Sequence, residues 1–153
     1  MKIAGKNPIT ELDYPDPDVI RVDDTYYMVS TTMHFMPGCE ILRSYDLIHW
    51  EHLSYVYERL DSTEEQRLVG EKNCYGKGMW AASLRYHKGM YYICFVANDT
   101  GKTYLYTADD IEGPWEKRII EGFYHDCSLL FEDGIEKRSG RSKGRRTGSD
   151  SGQ

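Results

Sequence analysis

The chain has 153 residues and a mass of 17.8 kDa. That is the size of one domain, able to bury about two-thirds of its unfolded surface. Nineteen Lys and Arg against 25 Asp and Glu leave a net charge of −6, which argues against nucleic acid as a partner. No run of roughly 18 apolar residues exists, so no transmembrane helix and no membrane partner are expected. Met1 to Pro8 lacks the apolar stretch of a secretory signal peptide, so the chain is expected in the cytoplasm unless processing has removed a segment.

In chain order, short strands alternate with polar turns. Val19–Val22 and Tyr26–Thr31 flank Asp23-Asp24, a hairpin signal. Glu40–Ser44 and Trp50–Leu53 flank Tyr45-Asp46-Leu47. Residues 61–78 read as an insertion, with Ser62–Leu68 as the one helix candidate. Leu84–Tyr86 and Tyr91–Phe95 then flank His87-Lys88-Gly89, and Thr103–Thr107 and Trp115–Lys117 flank Asp109-Asp110-Ile111. The Tyr-Tyr pair moves from 26/27 to 91/92 and the fourth-strand Trp from 50 to 115, both by 65 residues. Two markers with one offset indicate a repeat. Asp126–Gly134 reads as the start of a third unit.

Four-stranded antiparallel units in tandem are the signature of a β-propeller. One such blade exposes two apolar faces and needs neighbours to cover them. The expected class is therefore all-β: a partial propeller of about two blades plus the start of a third. Residues 1–134 form this part. Residues 135–153 contain six Lys/Arg, at 137, 138, 141, 143, 145 and 146, and Ile135 as their sole apolar residue. Such a segment cannot offset its ordering entropy and is expected to be disordered. It begins where the third blade should continue, so it reads as a truncation or frameshift scar.

The four cysteines, Cys39, Cys74, Cys94 and Cys127, form no C-x-x-C pair. They are expected as free thiols in a reducing compartment, with Cys94 a small core residue. No His/Cys/Asp spacing suits a metal, and neither a phosphate-binding loop nor a nucleophile elbow is present. Tyr supplies 13 of the 20 aromatic residues. Its flat apolar face and polar tip suit a sugar, although Tyr is also a strand former.

Aligning the repeats places Asp16 opposite Ala81 and Asp126, each just before the first strand of its unit. In a propeller these positions meet around the central axis. Two carboxylates there would meet the needs of glycoside hydrolysis, where an acid and a base flank the scissile bond. Asp16 could equally be a turn residue between two prolines, and Asp126 a strand-start cap.

The residues Asn7-Pro8-Ile9, Tyr14-Pro15-Asp16-Pro17-Asp18-Val19-Ile20-Arg21, Asp24-Thr25-Tyr26-Tyr27, Met36-Pro37-Gly38, Ser44–Trp50 and Met79-Trp80-Ala81-Ala82-Ser83 resemble glycoside hydrolase family 43. The family holds β-xylosidases and α-L-arabinofuranosidases on a five-bladed propeller, and they invert configuration. The resemblance implies an oligosaccharide substrate, with Asp16 as the general base and Asp126 as the aspartate that tunes and orients the acid. The family's Asp-Pro-Ser stands here as Asp126-Cys127-Ser128. The acid is a Glu on a later blade, for which residues 135–153 offer no match. Trp80 is implied beside the sugar, and Met33, His34 and Phe35 in a loop shaping the terminal subsite. His125, next to Asp126, is a further candidate contact. No cofactor is indicated, although relatives sometimes hold a channel calcium. The expectation is a pentoside-cleaving hydrolase, nearly inactive without the acid. The alternative is a carbohydrate-binding partial propeller without turnover.

Overall fold

A computed structural model describes residues 5–132, and the basic segment 135–153 lies outside them. Eight strands are formed: β1 (Asp18–Val22), β2 (Thr25–Val29), β3 (Gly38–Ser44), β4 (Glu51–Tyr57), β5 (Met79–His87), β6 (Met90–Ala97), β7 (Lys102–Ala108) and β8 (Glu116–Ile120). They make two antiparallel sheets in simple meander order, β1-β2-β3-β4 and β5-β6-β7-β8. These are two consecutive blades of a five-bladed propeller, as the all-β reading expects. Among the described residues there is no α-helix.

The turns follow from local chemistry. Val22 pairs with Thr25 and His87 with Met90, so each first hairpin closes over two residues. Asp23 and Lys88 take φ of 52° and 49°, and Gly89 takes 82°. Positive φ is what a tight hairpin turn requires. In the β3–β4 turn, Asp46 Oδ1 accepts from the Ile48 and His49 amides at 2.9 and 2.8 Å. These bonds hold the Asp46 carboxyl well below the usual carboxylate range.

Strand alternation decides what each face touches. On β6, Tyr91, Ile93, Phe95 and Ala97 face the first sheet, where they join Val29, Ile41 and Tyr57 in one core. Tyr27 meets Tyr91 edge to face at 6.0 Å across the two sheets, and Tyr57 packs on Phe95 and Tyr106 at 5.9 Å each. Such pairs add about 0.5–1.5 kcal/mol beyond their area burial. The alternate residues of β6, Tyr92 and Cys94, face away and are met by residues 127–131.

One expectation changes. Ser62–Leu68 makes a single turn, not a helix: the Arg67 amide donates to Thr63 O and the Val69 amide to Glu64 O. The turn stops at Leu68, whose φ is 56°. One turn cannot propagate, because helix nucleation is costly and few bonds follow. Asp126–Phe131, read as the start of a third unit, lies along the outer face of the second sheet and joins no strand ladder among the described residues. Arg85 Nη2 donates to Ser128 Oγ at 2.7 Å, and Phe131 stacks on His87 at 4.5 Å and lies 4.6 Å from Tyr92.

The insertion is tied down by buried polar groups. Asp61 accepts from Lys102 Nζ at 2.6 Å, Lys117 Nζ at 3.1 Å and Tyr104 Oη at 2.9 Å. Gln66 donates to Asp99 at 2.6 Å and accepts from the Asp61 and Ser62 amides.

Candidate active site

Asp16 precedes β1 at a kink with φ of 51°. Ala81, at the equivalent point of the second blade, has φ of 41°, and Asp126 has 51°. The three positions aligned from sequence thus share one left-handed conformation, which costs a non-glycine residue roughly 1–2 kcal/mol. In β5 the kink coincides with a break in register between Trp80 and Ser83. A bulge of this kind turns a side chain away from the ladder, and Trp80 stands at its start.

Residues Ser30 and Thr31 leave the β2 ladder to hold Asp16. The Thr31 amide and the Ser30 hydroxyl both donate to Pro15 O, at 3.0 and 2.5 Å. Thr31 Oγ1 donates to Asp16 Oδ2 at 2.9 Å and accepts from the Ala81 amide at 2.9 Å. One hydroxyl therefore joins the Asp16 carboxylate to the kink of the next blade. Asp16 itself is an exposed residue.

Beyond Ala81, the Trp80 ring lies 6.1 Å from the His125 ring, and His125 Nδ1 is 3.0 Å from Asp126 Oδ1. Asp16, Thr31, Ala81, Trp80, His125 and Asp126 thus form one continuous run across the first strands of both blades. Trp80 is half-buried and its indole N–H is enclosed without a partner. Two residues after the aligned aspartates, Asp18 and Ser128 are joined through one side chain. Arg85 Nη1 lies 2.6 Å from Asp18 Oδ2 and Arg85 Nη2 donates to Ser128 Oγ. Asp18 Oδ2 also accepts from the Leu84 amide at 2.9 Å.

The loop of Met33, His34 and Phe35 divides. Met33 O accepts from the Gly78 amide at 2.9 Å, next to the Thr32–Met79 bridge, so it adjoins Trp80 through the backbone. His34 and Phe35 instead group with the insertion: His34 stacks on Tyr75 at 4.2 Å and accepts from the Gly76 amide at 3.1 Å. They border a cavity of about 760 Å³ with Tyr55, Arg59, Arg67 and Leu68, and neither Asp16 nor Asp126 lines it. Its one acidic residue is Glu58, so it lacks the two carboxylates that glycoside hydrolysis uses. Among the described residues no three His, Cys, Asp or Glu side chains are grouped to hold a metal.

Thr31 and Arg85 were not singled out in the sequence. Thr31 carries no motif of its own. Asp18 and Ser128 could have been found by extending the repeat alignment two residues past Asp16 and Asp126.

Two sheets of this order, with aspartates at equivalent kinks, define part of a propeller with an acidic inner edge. The chain belongs to glycosyl hydrolases family 43, whose model matches residues 5–136. A β-xylosidase of Formosa agariphila is 39% identical over 74% of this chain and 19% of its own length. A non-reducing end α-L-arabinofuranosidase of Bacteroides ovatus is 35% identical over 84% of this chain and 24% of its own. Among solved structures, a bifunctional GH43-CE protein of Bacteroides eggerthii superposes with a TM-score of 0.80 at 45% identity, over 84% of this chain and 18% of that one. The chain spans about a quarter or less of the length of these relatives.

Proposed function

We propose that these blades are the base-carrying part of an inverting exo-glycosidase that releases terminal xylose or arabinofuranose from plant-wall oligosaccharides. The observation that carries the reading is the Asp16 carboxylate. It accepts from the Thr31 hydroxyl at one oxygen and belongs to an exposed residue just before the first strand of a family 43 blade. Asp16 takes a proton from water as that water attacks the anomeric carbon, and the sugar–oxygen bond breaks on the opposite side. Inversion needs acid and base about 6.5–9.5 Å apart, with room for this water between them. Asp126, beside His125, orients the acid and raises its proton affinity by like charge. The Trp80 ring gives the sugar's C–H face an apolar wall, Met33 adjoins it, and His34 and Phe35 bound the outer end.

The acid itself is a Glu on a later blade. General acid catalysis supplies about 10²–10⁴-fold, so residues 1–153 by themselves leave an unactivated glycoside uncut. An aryl pentoside partly dispenses with that acid, which separates the two roles. The 153-residue chain is expected to release dinitrophenol slowly from an activated aryl xyloside or arabinofuranoside and to lose this activity as Asp16→Asn. Xylobiose should survive both proteins. Release of xylose from xylobiose would mean that a carboxylate within the chain serves as the acid. Aryl release unchanged by Asp16→Asn would remove Asp16 as the base. Sugar binding without any release would favour the carbohydrate-binding reading.

A further inference from the structure

Cys94 and Cys127 are brought together by the segment that crosses the outer face of the second sheet. Cys94 lies in the middle of β6 and is buried, whereas Cys127 directly follows Asp126 and is half-buried. Their sulfurs are 3.1 Å apart, about 1 Å more than a disulfide bond. The other thiols are placed differently: Cys39 is fully enclosed in the inter-sheet core, and Cys74 is buried in the insertion. Neighbouring contacts on both sides of Cys127 hold this register. Ser128 receives Arg85, His125 lies against Asp126 and Trp80, and Phe131 sits against His87 and Tyr92.

We infer that Cys94 and Cys127 are a redox-active dithiol, a modification site that closes to a disulfide under a peroxide oxidant. The Cys127 thiolate attacks one oxygen of hydrogen peroxide, the O–O bond breaks, and hydroxide leaves to become water, giving a sulfenic acid. Cys94 then attacks the Cys127 sulfur and its proton goes with the departing hydroxide as a second water. Two thiols lose two electrons and two protons, and one peroxide is reduced to two waters. The two sulfurs share one hydrogen bond, with the thiolate favoured on the more accessible Cys127 and disfavoured on the enclosed Cys94. The bond fastens the residue after Asp126 to the centre of β6. This inference does not depend on the glycosidase reading, because its readouts are thiol counts and peptide masses.

The test uses the reduced 153-residue chain, exposed to a small excess of hydrogen peroxide at neutral pH. It is then unfolded, alkylated and mapped without reductant. The expected product is a single Cys94–Cys127 cross-link, two hydrogens lighter, with Cys39 and Cys74 still alkylated. In Cys94→Ser, dimedone should trap a sulfenic acid on Cys127 that is absent from the wild-type chain. Cross-links scattered over all four cysteines overturn the inference. So does Cys127 oxidised to the sulfinic acid beside an intact Cys94 thiol, or a Cys127 that peroxide leaves untouched.

Discussion

Asp16 and Asp126 occupy the same backbone kink, with φ of 51° at each. Ala81 holds the middle position of the series at 41°. Strained conformations of this kind persist where surrounding bonds over-determine them. Around Asp16 those bonds come from Ser30 and Thr31, and around Asp126 from His125 and Ser128. The kink thus recurs with the repeat, and the residue placed on it decides whether a blade offers a carboxylate or a methyl group.

Thr31 is the link between Asp16 and the second blade. Thr31→Val keeps the shape but leaves the Ala81 amide without its acceptor and Asp16 without its donor. The expected loss is about 1–3 kcal/mol, read as a lower urea midpoint, together with slower aryl-pentoside cleavage. Thr31→Ser should restore both.

Gly38 begins β3 where Tyr57 crosses it. A Cβ there would lie 2.2 Å from Tyr57 Oη and 2.4 Å from its Cζ. Tyr57 is itself buried against Phe95 and Tyr106, so the ring cannot swing aside freely. Gly38→Ala should destabilise the chain by about 1–3 kcal/mol through overpacking, seen as a lower thermal midpoint.

Asp61 is enclosed by the insertion and β7, where burial raises its pKa but the bonds from Lys102, Lys117 and Tyr104 outweigh that and lower it. A lowered folded pKa gives stability that is complete above the unfolded value, near 3.9, and lost as pH falls through the folded value. Asp61→Asn should therefore cost about 1.5–3 kcal/mol at neutral pH. In urea titrations across pH, the gap from wild type should hold steady near neutrality and close only below about pH 4.

The Cys127 thiol is held down to about 7 by the hydrogen bond shared with Cys94. Burial pushes the Cys39 and Cys74 thiols up. Iodoacetamide should alkylate Cys127 first in the folded chain, roughly tenfold or more ahead of Cys39 and Cys74. Its rate should rise with pH to a half-maximum near 7, since the thiolate is the nucleophile. Cys94→Ala removes that hydrogen bond and should move that midpoint upward.

The hairpins were legible because their causes are local. Asp23-Asp24 and Lys88-Gly89 sit between alternating apolar runs, and both hairpins close where that pattern places them. The Tyr-Tyr repeat was legible too, and its two halves face each other: Tyr27 of one blade meets Tyr91 of the next. The candidate aspartates were found through the same repeat. Other features depended on partners far away in sequence. Ser62–Leu68 has helical residues but only one turn, because Gln66 is drawn into bonds with Asp99 and with the Asp61 and Ser62 amides. His34 and Phe35 adjoin Met33 in the chain, yet Tyr75 draws them to the insertion.

The sequence by itself determined the all-β class, the two four-stranded units and the equivalence of Asp16, Ala81 and Asp126. These follow from periodicity and turn chemistry, which act over a few residues and repeat. Only the tertiary structure decided that Thr31 holds Asp16, that Arg85 joins Asp18 to Ser128, and that Cys94 meets Cys127. Each of those contacts spans from 15 to 67 residues of chain. No local pattern encodes them; they form because the apolar faces of two sheets, and of the segment laid over the second, can be buried together in one register.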